Sequence, residues 1–177
     1  MKRRLFTLAA LMVLAVASLS AQSFVGKWKA TEEFEKQMDF EKGMDLYLET
    51  TATDIKVLMI ASVQEDGMDM KMQFVMPGTY TRSGDQVKAR FNKSKIDFEI
   101  LDLKTTDPEI SAFLKDPEMK KLLYGLIKEQ AMQDSDAKEA IGPLAEAFET
   151  FTISSLTQST MTVMLQDALE LKLTRVK

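Results

Sequence analysis

The sequence predicts a mainly β protein, an antiparallel barrel of about 8–10 strands with a helical insertion before its last three strands. Residues 24 to about 103 alternate apolar and polar positions in short runs, as half-buried strands do. At residue 107 the spacing changes to that of amphipathic helices, and after residue 149 the alternation returns in three closely spaced runs.

The elements follow in chain order. Lys2, Arg3 and Arg4 precede an apolar stretch from Leu5 to Ala17 and then small residues, the layout of an export signal peptide over 1–21. The stretch is short against the roughly 20 residues of a membrane span. Cleavage is therefore expected after Ala21 or Ser20, leaving a single domain over 22–177, periplasmic or secreted, with no stable membrane anchor. Phe24, Gly26, Trp28 and Ala30 form one face of a first strand. In MDLYLET, Met44, Leu46 and Leu48 alternate with Asp45, Tyr47 and Glu49. DIKVLMIASV puts Ile55, Val57, Met59, Ala61 and Val63 on one face, and its other face carries Leu58 and Ile60, which predicts a covering layer outside. GMDMKMQFVM places Met68, Met70, Met72, Phe74 and Met76 together. Turn signals at Asp66-Gly67, Pro77-Gly78, Ser83-Gly84-Asp85 and Asn92-Lys93 separate these runs, and QVKARF and KIDFEIL supply two further strands.

Asp107-Pro108-Glu109 and Asp116-Pro117-Glu118 each join a capping Asp to a Pro at the first helical position. Met119, Leu122, Leu123, Leu126 and Ile127 then keep helical spacing. A third helical piece holds Ala137, Ala140, Ile141, Leu144, Ala145 and Phe148, with a break at Gly142-Pro143. The insertion over about 107–149 is expected to cover the outside at Leu58 and Ile60, or to act as a lid or docking surface. FTISSLT, TMTVML and LELKLTRV are the closing strands, and Arg175 shares a face with Leu169, Leu171 and Leu173. An Arg on an apolar face needs a partner, and an indole can supply one. Trp28 is the only tryptophan.

Composition removes several chemistries. With no His and no Cys, Ser-His-Asp and Cys-His catalysis and the common zinc sites are excluded, as is a lipid anchor on an acylated Cys. No catalytic residue, metal or cofactor is expected. Without Lys2, Arg3 and Arg4, 20 basic residues face 27 acidic ones, a net charge of −7 that argues against nucleic acid as a partner. Met68, Met70 and Met72 suggest soft copper ligands. Same-face neighbours on one strand lie about 6.6 Å apart, so a second strand would have to close such a site. Eleven methionines beyond the leader read instead as adaptable apolar lining. QEDGMD and QDSDAKE lack the ligand spacing of a calcium loop, and the sequon Asn92-Lys93-Ser94 reads as a hairpin turn.

Three segments carry a family resemblance. FVGKWKA resembles the G-x-W start of the lipocalin and broader calycin families. GTYTRSGDQVKARF is similar to the G-x-Y strand, turn and strand of bacterial lipocalin-like domains, and FTISSLTQSTMTVML with LELKLTRVK is similar to their final strands. The recognisable T-D-Y motif and the disulfides of many eukaryotic relatives are missing. The resemblance implies a lipocalin-like barrel whose base is closed by Gly26 and Trp28, with Arg175 packed over the indole. It further implies a secreted or periplasmic binding protein for a small apolar or amphipathic ligand. The expected lining is Met44, Leu46, Leu48, Met59, Met70, Met72, Phe74, Phe91 and Phe98. The alternative is a non-catalytic protein-interaction module with a filled barrel, in which the helical insertion is the contact surface.

Overall fold

The protein is described by a computed structural model covering residues 24–33, 44–65, 67–133, 143–166 and 169–176. The expected leader over 1–21 and Ala137, Ala140 and Ile141 lie outside the described residues. Nine strands are present among them: β1 (Gly26–Ala30), β2 (Met44–Thr50), β3 (Asp54–Glu65), β4 (Met68–Ser83), β5 (Gln86–Phe91), β6 (Asp97–Thr105), β7 (Thr150–Leu156), β8 (Thr160–Met164) and β9 (Glu170–Arg175). Two helices, α1 (Pro108–Lys115) and α2 (Pro117–Gln133), stand between β6 and β7.

Eight strands close on themselves in the order β3-β2-β1-β9-β8-β7-β5-β4, with β4 returning to β3, and every pairing is antiparallel. The ninth, β6, lies outside the closed ring and pairs with β4. Closure removes the open edges that a curved sheet of this size would otherwise expose. The fold is thus a mainly β closed barrel with one extra strand and a helical insertion before its last three strands.

The length of β4 makes this arrangement possible. Its first half pairs with β6 from Met68 to Val75, and its second half pairs with β5 from Gly78 to Ser83 on the same edge. Met76 and Pro77 fall between the two registers. A proline suits that seam because it has no N–H to offer a neighbouring strand. Pro77-Gly78 is therefore not the turn that the sequence suggested: the chain stays extended through both residues. Gly78 answers to packing, since a Cβ there would lie 2.6 Å from the Arg90 carbonyl oxygen and 2.9 Å from the Phe91 ring.

Alternation in the strands builds the core. Leu46 and Leu48, Val87 and Ala89, Phe151 and Ile153, and Leu171 and Leu173 all point inward and are buried. A helical turn over 143–147 delivers Leu144, Ala145 and, just after it, Phe148 into the same core. The N–H of Ala89 donates to the Glu149 carbonyl at 2.8 Å, which fixes this plug beside β5. The capped helix starts form in detail. Asp107 accepts from the N–H groups of Glu109 and Ile110 at 2.8 and 3.1 Å, and Asp116 accepts from Glu118 and Met119 at 2.8 and 3.2 Å.

Leu58 is covered, at 6% exposure, and Ile60 is partly buried, but the helices are placed against β6 and not over these two residues. The helices pack on the opposite, inner face, where Phe98, Ile100 and Leu103 of β6 meet Leu114, Leu123, Tyr124 and Ile127. The reason is the unequal apolar demand of the two faces. Among the described residues β2 begins at Met44, opposite Ala61, and β3, β4 and β6 project beyond that point. The inner face of that extension carries Met70, Met72, Ile100 and Leu103, with no strand opposite to bury them among the described residues. Its outer face carries Lys71, Gln73, Glu99 and Lys104, which water can solvate.

Candidate functional site

At the base of the barrel, Trp28 is fully buried and pairs across the register with Arg175. The guanidinium sits 4.3 Å from the indole centroid, and its Nη1 donates to the Val25 carbonyl at 3.0 Å. The indole Nε1 donates to the Phe24 carbonyl at 3.0 Å, and the buried Thr50 hydroxyl donates to the same oxygen at 2.6 Å. Gly26 has φ +148°, and a Cβ there would stand 2.8 Å from Arg175 Nη1. Phe24 meets Tyr80 edge-on at 5.2 Å, and the Tyr80 hydroxyl reaches the Thr51 carbonyl at 2.8 Å. These contacts seal this end with side chains.

The nine expected lining residues divide into two groups. Leu46, Leu48 and Met59 are buried in the barrel core, with Met44 and Phe91 partly buried at its margin. Met70, Met72 and Phe98 belong instead to the layer between the extended sheet and the helices; Phe74 touches both clusters and stacks at 5.0 Å on Phe98. Among the described residues the barrel side of this array is filled. A cavity between Val57, Met59, Phe74, Met76, Ile96 and Leu144 has a volume of about 10 Å³. Small-molecule sites run to roughly 300–1,000 Å³, and even one water needs about 10–15 Å³.

Among the described residues the methionine run forms no thioether cluster across the paired strands. Met70 lies opposite Val63 and Leu103, Met72 opposite Ala61 and Ile100, and Met68 is exposed at the tip of the extension. Among the described residues, no group of three or more carboxylates converges as a metal site would require. Asn92 of the sequon caps a short 3-10 turn, its Oδ1 accepting from the Ser94 N–H at 3.2 Å.

The sheet–helix layer has one polar exception. The Tyr124 hydroxyl is buried there without a hydrogen-bond partner among the described residues. An orphaned buried hydroxyl is uncommon enough to need an explanation. At the edge of the layer, Lys128 of α2 is hydrogen-bonded to Asp97 of β6, and this holds the Asp97 carboxyl below its ordinary value of 3.8. The pair ties the helix to the start of the strand.

The outward side of the helices is apolar as well. Leu122 and Leu126 are 60% and 57% exposed, one turn apart on α2, with Met119 preceding them and Phe113 exposed on α1. The sequence assigned Leu122 and Leu126 to the same helical stripe as Leu123 and Ile127, whereas the structure separates the two pairs. Apolar doublets at 122–123 and 126–127 span too wide an arc for one buried face, and that width was the available signal.

Fold and site together define a closed eight-stranded antiparallel barrel with one extra strand and two helices packed on its projecting sheet. No protein-family model matches the chain, and no curated protein matches it in sequence.

Proposed function

We propose that the chain is an exported, non-catalytic protein-interaction module of lipocalin-like, calycin-type kinship, with the filled barrel as scaffold and the α1–α2 hairpin as contact surface. The kinship is supported by the G-x-W strand and by Arg175 packed over Trp28 at the barrel base. The interaction reading is carried by the exposed ridge of Met119, Leu122 and Leu126 beside Phe113. Clustered exposed apolar side chains of this size mark a surface that is covered in use. Along one flank of the ridge run Glu118 and Glu129, with Lys121 and Lys128 beyond them, a polar border of both signs such as protein interfaces have.

Deleting residues 107–149 is not a clean test, because it also removes the plug residues Leu144, Ala145 and Phe148. A photoreactive side chain at position 122 in the exporting host identifies the partner, and the two purified proteins are then titrated. Leu122→Glu with Leu126→Glu should weaken that complex by more than about tenfold while the melting temperature stays unchanged. Undiminished binding by the double variant, or no cross-linked partner, removes this reading.

The Tyr124 hydroxyl favours a second reading, in which an amphipathic molecule enters the layer between the hairpin and the extended sheet. Met70 and Met72 are only partly buried there, and their unbranched side chains can repack around an apolar body. The hydroxyl would then meet the ligand's polar group. Tyr124→Phe should weaken binding of a fluorescent fatty acid by about tenfold, the loss of one buried hydrogen bond. Equal affinity for both proteins, or no saturable binding, excludes it.

A further inference from the structure

At the seam where β4 passes its edge from β6 to β5, the loop after β5 crosses over Pro77 and leaves an open cleft of about 550 Å³. We propose that this cleft is a binding site for a small soluble organic phosphate, a compact oxyanion carried on an apolar body.

The first argument is charge. Arg90, Lys93 and Lys95 line the cleft and no carboxylate does, in a chain with 27 acidic against 23 basic residues. Two other surface clefts among the described residues mix their signs. Beside the β3–β4 turn, Asp69 faces Lys104, and beside β1 and β2, Lys29 and Lys71 stand with Glu32 and Asp45. Arg90 and Lys95 form no ion pair among the described residues. Lys93 has only Glu146 at 3.7 Å, with both side chains more than half exposed. Such a contact contributes little and yields readily to a stronger anion.

The second argument is shape and support. Pro77 and Phe91 are partly buried and give the floor an apolar surface. The rim is pinned rather than trailing. The Asn92 N–H donates to the Pro77 carbonyl at 2.8 Å, the Lys95 N–H donates to the Asn92 carbonyl at 2.9 Å, and the Asn92 side chain holds Ser94. Gly78 lets β5 come close beneath the cleft, where any side chain would strike Phe91. A planar guanidinium offers paired donors to two phosphate oxygens, and two ammonium groups add point charges around it. The exposed Thr79 hydroxyl is a further donor at the rim.

Calorimetric titration of the mature protein with phenyl phosphate and with inorganic phosphate tests the proposal. Saturable binding of phenyl phosphate is expected, tighter than that of inorganic phosphate and weakened on raising salt from about 50 to about 500 mM, because the cations are solvent-exposed. Arg90→Gln with Lys95→Gln should reduce the affinity at least about tenfold, while Lys104→Gln, in the mixed-sign cleft, should leave it unchanged. All the substituted side chains are exposed, so the fold is retained, and far-UV circular dichroism verifies this for each variant. Absence of saturation overturns the proposal, as does equal affinity in the double variant or equal affinity for the two phosphates.

Discussion

Trp28→Ala should lower the stability of the barrel by about 3–5 kcal/mol, the range for truncating a large aromatic in a packed core. Trp28 is fully buried at the closed base, and its ring is the surface on which the Arg175 guanidinium rests. The loss is chiefly one of packing. The Phe24 carbonyl keeps its bond from Thr50, and Arg175 keeps its bond to Val25, so few polar groups are orphaned. Domains of this size hold roughly 5–15 kcal/mol in total, so about a fifth or more of the stability is at stake. At about 2–4 °C per kcal/mol, the melting temperature should fall by about 10 °C. Far-UV circular dichroism in urea is the appropriate readout, because the substitution removes the only tryptophan fluorophore. A variant that melts within a degree or two of the parent would mean that the base is not closed by this ring.

Phe148→Ala should be comparably damaging, at about 3–5 kcal/mol, and it should also create a function the parent lacks. Phe148 is fully buried and stands edge-on to Phe151 at 6.0 Å, plugging the barrel from the helical insertion. An apolar cavity left in a packed interior stays dry and accepts a small apolar molecule. Benzene should therefore raise the melting temperature of the variant in a saturable manner and leave that of the parent unchanged. If the parent responds equally, its interior is already open, and the filled-scaffold premise of the interaction reading fails. Only a hollow barrel would bring the inward residues Leu46, Leu48 and Met59 into contact with a ligand.

The strands were legible because most of them have one wet face and one dry face, so alternation survives in the sequence. The helix starts were legible for an equally local reason, since an Asp cap and a following Pro act within four residues. Pro77-Gly78 misled because the same two residues that favour a turn also suit a seam between two strand neighbours. That distinction depends on β5 and β6 sharing one edge of β4. Leu58 and Ile60 were a partial guide. They signalled a covered outer face, and Leu58 is buried, but the helices were placed by the larger apolar surface on the opposite face of the projecting sheet.

The sequence by itself determined the mainly β class, the position of the helical insertion, the inward face of each strand and the absence of histidine and cysteine chemistry. These follow from composition and from interactions a few residues long. Only the tertiary structure decided that the barrel closes with eight strands while β6 stays outside, that Phe148 returns to fill it, and that Leu122 and Leu126 are left facing water. Each of these depends on residues far apart in the chain competing for the same buried space, and neither alternation nor spacing records which of them wins.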